Sequence, residues 1–201
     1  MVWVMIAAVV LAAGKSERMG TPKMGLPWGE TTVIGQVVTT LLASQVDEVV
    51  VVTGGGGAEV ESALRRLPEG LSVRSLHNPD YAAGEMLSSL KVGISALGED
   101  VDATLVALGD QPQIEGRVVS AILTAYRQGG AGLVVPSYNM RRGHPMLIAR
   151  SLWSELLSLR SPQTLRELLL AHSGEIHYVN VDTPTILQDL DTPADYQQYK
   201  P

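Results

Sequence analysis

Apolar residues along this chain alternate between two patterns: short continuous runs, and stretches in which they recur every three or four positions. The opening run, MVWVMIAAVVLAAG, predicts a first core strand. It has no positively charged leader and falls short of the roughly 20 apolar residues of a membrane helix. Asp47 to Thr53 (DEVVVVT), Leu71 to His77, Ala103 to Leu108 and Leu133 to Pro136 predict four more strands. The most β-branched of them are of the kind buried on both faces of a parallel sheet. Thr31 to Ala43, Ala58 to Leu67, Gly84 to Leu97 and Glu115 to Gln128 predict the helices between them, the second stopped by Pro68 and the last by Gly129-Gly130.

Strands alternating with helices of about 10–15 residues imply right-handed βαβ crossovers and a mostly parallel sheet covered on both faces. The fold class expected is α/β, a three-layer α/β/α Rossmann-like arrangement in one domain over residues 1–201. After Tyr138 the alternation weakens, and an antiparallel excursion is expected around Arg141 to Ile148. Two helices follow, Ser151 to Leu159 and Pro162 to Ala171, the second with Ser161 as cap and Pro162 at its first position. A late strand is expected over Ile176 to Val181. Thr192-Pro193-Ala194-Asp195 then has the cap, proline and first-turn acid of a final helix.

Composition narrows the function classes. A hydrophobic content of 45% against 18% charged residues supports a sizeable core, and the absence of cysteine excludes disulfides, thiolate metal sites and cysteine nucleophiles. Such a chain suits a reducing cytoplasm, where it is expected to reside. A formal charge of −6 argues against a nucleic-acid or anionic-membrane binder, so neither partner is expected.

Against that acidic background one basic cluster stands out. In Val9 to Lys23 (VVLAAGKSERMGTPK) an apolar strand breaks at Gly14 and then places Lys15, Arg18 and Lys23 within ten residues. A strand feeding a glycine turn and then cations is a physically sensible phosphate cradle, because backbone N–H groups approach an anion where Gly14 has no Cβ. A strand followed by a basic surface loop would read the same way. The loop and Asp110 both lie at the carboxyl ends of expected strands, where open α/β sheets bind ligands, so they can share one crevice.

Two tempting motifs fail. Gly14-Lys15-Ser16 holds the GKS of a Walker A loop, but that loop needs glycine at position 9, which is Val. Gly54 to Gly57 sits between strand and helix as a dinucleotide fingerprint would, yet the third glycine falls on Glu59 or Val60. The four histidines have no zinc spacing; His144 alone stands out, in the turn Arg141-Arg142-Gly143-His144-Pro145.

LAAGKSERMGTPK, Leu11 through Lys23, resembles the signature loop of the molybdenum cofactor cytidylyl- and guanylyltransferases, approximately L-A-[AG]-G-x-S-x-R-M-G-x-x-K. Gly109-Asp110-Gln111-Pro112, Gly143-His144-Pro145 and Asp189-Leu190-Asp191-Thr192-Pro193 follow in the family's order. The resemblance implies a nucleotide-diphospho-sugar transferase-like fold and a Mg²⁺-dependent nucleotidyltransferase. In that reading Leu11, Ala12, Ala13 and Gly14 contact the nucleotide, and Arg18 and Lys23 stabilise charge. Lys15, at a variable position of the pattern, is a weaker candidate. Asp110 binds the metal with Asp191, or with Asp189 as its alternate. Asn78, Gly84 and Ser88 resemble the base and ribose wall, although Asn78 or Ser88 could equally cap a helix. Gly143, His144 and Pro145 lie near the acceptor. The Ala12-Ala13 pair resembles the cytidylyl branch and favours CTP, with a molybdopterin-type phosphate acceptor and a molybdenum hydroxylase as recipient of the product.

Residue chemistry alone leaves alternatives beside these roles. Asp110 could start a turn before Pro112, Asp191 could belong to the final helix entry, and His144 could sit in a solvated hairpin. Another phosphate acceptor, such as a sugar phosphate or phosphoalcohol, fits the same chemistry. A non-catalytic nucleotide- or cofactor-binding chaperone fits the same cleft.

Overall fold

A computed structural model describes residues 4–82 and 86–201. Gly84, expected in the ribose wall, lies outside the described residues. Strand β1 (Ile6–Ala12) is buried along its whole length, and its alternation assigns side chains to two cores. Ile6, Ala8, Val10 and Ala12 face one layer, with Ala7, Val9 and Leu11 facing the other.

The chain continues through a short hairpin, β2 (Pro27–Trp28) and β3 (Thr31–Thr32), into helix α1 (Val33–Ala43), capped by the Thr32 hydroxyl, which accepts from Gly35 N–H. Then follow β4 (Glu48–Thr53), α2 (Gly57–Leu64), β5 (Val73–His77), α3 (Met86–Ser95), β6 (Ala103–Leu108), α4 (Gly116–Gly129) and β7 (Leu133–Tyr138). The remainder is β8 (Arg141–Arg142), β9 (Met146–Ala149), α5 (Trp153–Ser158), α6 (Leu165–Ala171), β10 (Ile176–Asn180) and α7 (Pro193–Tyr199).

The main sheet runs β10-β7-β9-β6-β1-β4-β5, with β8 on β7. Pairs β6-β1, β1-β4, β4-β5 and β10-β7 are parallel, whereas β9 is antiparallel to both neighbours. The antiparallel excursion is therefore central: β9 joins the two parallel halves of the sheet, and all four of its residues are buried. Helices α1, α2 and α4 cover one face, while α3, α5 and α6 cover the other.

Helix boundaries depart furthest from the sequence expectation at the start of α6 and the end of α2. Helix α6 begins at Leu165 rather than Pro162, because Thr164 and Glu167 form a reciprocal capping box that satisfies the first free N–H groups. Helix α2 ends at Leu64 rather than Leu67; the following N–H groups turn back in tighter bonds, as a chain approaching Pro68 must. The final helix does open on the Thr192 cap with Pro193 first and Asp195 completing a capping box.

Candidate active site

In the β1/β6 register Leu11 lies opposite Leu108, so the loop after one strand and Asp110 after its neighbour leave the sheet at the same end. Between them opens a cleft of about 710 Å³. Its walls include Ala13, Gly14, Arg18, Lys23, Asp110 and Asp191. A Cβ placed on Gly14 would meet nothing within 4 Å, so the loop stops short of the opposite wall and leaves room above its backbone. The loop is held by local bonds: Ser16 takes a left-handed φ of 52°, and its carbonyl accepts from Met19 and Gly20 N–H.

Lys23 is the centre of the charge arrangement. It is only 7% exposed, and its Nζ donates to Asp110 Oδ2 at 2.5 Å and to the Leu190 carbonyl at 3.0 Å, with Asp191 Oδ1 at 3.6 Å. A buried ammonium of this kind is tolerable only with such partners. Arg18, mostly exposed, reaches Asp191 Oδ2 at 3.0 Å from the solvent side. Lys15 is half-exposed and lies 3.8 Å from Glu17, in the loop's own surface.

Two carboxylates 81 positions apart in sequence thus converge on one cation. No group of three His, Cys, Asp or Glu side chains able to hold a metal exists among the described residues. Two carboxylates facing one cleft are a donor set that suits a hard cation taking one or two protein oxygens and filling its other positions from water and phosphate. Asp189 also lines the cleft, but its Oδ1 accepts from Gln111 Nε2 at 2.7 Å. Burial pushes the Asp189 carboxyl above its ordinary range, opposed by that hydrogen bond. Of the two alternates, Asp191 is the one that shares a cation with Asp110.

Several expected site residues sit elsewhere. Asn78 is 1% exposed: its Nδ2 donates to Ser88 and Ser89 Oγ at 3.0 Å each, while its Oδ1 accepts from Asp80 N–H. It braces β5 against α3 with both amide hydrogens engaged, and Ser89 of the same helix lines the cleft. Ala12 is buried, and its side chain belongs to the core beneath the loop. Gly143 answers to packing, since a Cβ there would meet the Ile186 carbonyl at 2.4 Å. Pro145 is buried, leaving His144 as the member of this turn that lines a cavity, a separate one bounded by α3 and α6.

Sequence reasoning gave no role to Gln111, Tyr81 or the Leu190 carbonyl. Gln111 adjoins Asp110 in the same short motif, which was the available signal. Tyr81 lines the cleft and packs on Gly54 and Gly55, where added Cβ atoms would meet its ring at 2.7 and 3.1 Å. Those glycines are thus the floor for a tyrosine at the cleft mouth.

With the geometry in hand, three comparisons agree on the scaffold. The model of the MobA-like NTP transferase domain matches residues 8–176. The chain is 28% identical over 193 residues to molybdenum cofactor cytidylyltransferase of Escherichia coli, covering 95% of this chain and 93% of that protein. It is 33% identical over 149 residues to nicotine blue oxidoreductase of Paenarthrobacter nicotinovorans, covering 71% of this chain and 70% of that one. The crystal structure of Rv0371c from Mycobacterium tuberculosis superposes with a TM-score of 0.82 at 27% identity over 98% of each chain. That protein has also been solved in complex with manganese, where the TM-score is 0.75 over 97% of each chain.

Proposed function

The chain belongs to the MobA-like NTP transferase family and is a nucleotidyltransferase, and on that premise we propose that it joins CTP to the terminal phosphate of a molybdopterin-type acceptor. An acceptor phosphate oxygen attacks the α-phosphorus of CTP, the bond from that phosphorus to the bridging oxygen breaks, and pyrophosphate leaves. The observation that carries this reading is the convergence of Asp110 and Asp191 on Lys23 beside the open space over Gly14.

Backbone N–H groups of the Ala13–Gly14 turn approach the triphosphate, and Arg18, free to swing from its exposed position, follows the leaving phosphates. Lys23 supplies a preorganised positive charge at the α-phosphate, because its ammonium is already desolvated and held. Asp110 and Asp191 would hold Mg²⁺, which when bound supplies charge neutralisation between the phosphate oxygens. His144 faces the acceptor. The relative described as solved with manganese supports a divalent ion at such a site.

The relative named an oxidoreductase shares the scaffold, but Gly54 and Gly55 here serve Tyr81, and the third glycine of a dinucleotide turn is absent. Purified protein with CTP, Mg²⁺ and molybdopterin should release pyrophosphate, and Asp110→Ala should reduce that release at least about a thousandfold while the fold persists by circular dichroism. Undiminished release from the variant would remove Asp110 from the mechanism. Release with a sugar phosphate but not with molybdopterin would replace the acceptor.

A further inference from the structure

The second carboxylate of the cleft, Asp191, belongs to no strand or helix; it lies in the connection between β10 and α7. Bonds made by residues 110 and 111 hold that connection at the carboxyl end of β6. Leu190 N–H donates to the Asp110 carbonyl at 3.0 Å. Gln111 then reaches the connection twice: its Nε2 donates to Asp189 Oδ1 at 2.7 Å and to the Ile186 carbonyl at 3.4 Å, 78 and 75 positions away. The Ile186 carbonyl accepts in addition from His144 N–H at 3.0 Å.

Gln111 is only 3% exposed, so these bonds form away from bulk water. A buried amide is a costly choice for filling space, because an apolar side chain of the same volume would need no partners. Its two bonds accordingly point to a task, which is to fix the approach of one segment to another. Asp189 lines the cleft beside Asp110 and Asp191, yet the three do not group as metal ligands. The Gln111 bond anchors the chain one residue before Leu190, whose carbonyl accepts from Lys23, and two before Asp191. Asp191 therefore follows directly on two pinned residues. Hard divalent cations are exacting about the spacing of their oxygen ligands, and groups that orient those ligands matter nearly as much as the ligands themselves.

We propose that Gln111 is the positioning residue of the cation site: by clamping Asp189 it sets how far Asp191 stands from Asp110. Asp189 is then the acceptor of the clamp and not a ligand. The assignment rests on the reading of Asp110 and Asp191 as the pair that holds the divalent ion.

The probe is Mn²⁺ alone, followed by loss of the free-ion EPR signal as it is titrated against the full-length protein, so neither nucleotide nor turnover is involved. Wild type should bind the ion saturably. Gln111→Leu, which keeps the volume and loses the donor, and Asp189→Ala, which loses the acceptor, should each weaken binding about tenfold or more. The double variant should lose no more than the worse single one, since both changes break the same bond. Asp189→Asn, whose amide oxygen still accepts from Gln111, should stay close to wild type, whereas Asp191→Asn should lose at least as much as Gln111→Leu. Circular dichroism checks that the variants fold; if Gln111→Leu does not, the contrast between Asp189→Ala and Asp189→Asn carries the same test. No binding by wild type, binding indifferent to both Gln111→Leu and Asp189→Ala, or Asp189→Asn as damaging as Asp191→Asn would overturn the clamp, the last by making Asp189 a ligand. Pyrophosphate release by the wild-type protein would in each case leave the transferase reading standing.

Discussion

The two cavities on either side of Met86 are opposites in their chemistry. In the larger one every central charge is answered by another: Lys23 by Asp110 and Asp191, and Asp191 again by Arg18. In the smaller one leucines and methionines dominate the walls, with Thr164 and Arg166 beside them, and the His144 Nε2 has no hydrogen-bond partner among the described residues. The difference teaches that answered charge and bare apolar surface can stand side by side in one fold, the first suited to a phosphate and the second to an uncharged group.

The sharpest way to separate the two regions is Lys23→Met. Removing the held ammonium should lower kcat for pyrophosphate release by about 10²–10³-fold, in line with loss of one preorganised donor. An unchanged kcat would mean that the buried cation serves the fold and not the cleft.

Gly143→Ala strikes the joint between them. Its new Cβ would press on the Ile186 carbonyl at 2.4 Å and its side chain at 2.7 Å, and the backbone cannot yield cheaply. A loss of about 1–3 kcal/mol is expected in urea unfolding. Thr164→Ala removes the cap of α6 and should cost about 1 kcal/mol. The same urea melts should show that loss with the KM for CTP unchanged, since among the described residues α6 lines the apolar cavity and not the nucleotide cleft.

The smallest effect concerns the outer side of that wall. His172, at the end of α6, has Nε2 2.8 Å from Glu155 Oε2 on α5 and Nδ1 3.5 Å from Glu175 Oε2. The hydrogen bond to Glu155, with Glu175 adding to it, holds the imidazole above its ordinary pKa of 6.5. A raised folded-state pKa stabilises fully below 6.5, and that contribution is lost as pH rises through the raised value. His172→Gln should therefore destabilise by less than about 1 kcal/mol at pH 5.5 and by nothing measurable at pH 9, as compared in urea melts. The apolar wall is expected to tighten slightly in acid, whereas the loop-bound nucleotide cleft has no such tie to α5.

Much of the fold was legible because period-2 and helical spacing are local signals. Ala103–Leu108 forms the strand its run predicts, and Thr192-Pro193 opens the helix its cap predicts. The start of α6 was misread because Ser161-Pro162 and Thr164-Leu165 both look like helix entries; the side chain at Glu167, reaching back to Thr164 N–H, favours the second. The burial of Asn78 was illegible for a related reason: a buried amide and an exposed one look alike until the partner helix is in place.

By itself the sequence determined the alternation of strands and helices, the apolar content that buries the sheet, and the residue types able to handle phosphate and a divalent cation. Tertiary structure alone decided that Lys23 would be buried between two carboxylates, that Asp191 rather than Asp189 would share its cation, and that β9 would enter the sheet between its parallel halves. It also decided that His144 would stand against the leucines of α6. The reason is separation along the chain. Periodicity reports what a residue does with neighbours three or four positions away, whereas burial, charge pairing and cavities depend on segments 80 or so residues apart, brought together only when the sheet assembles.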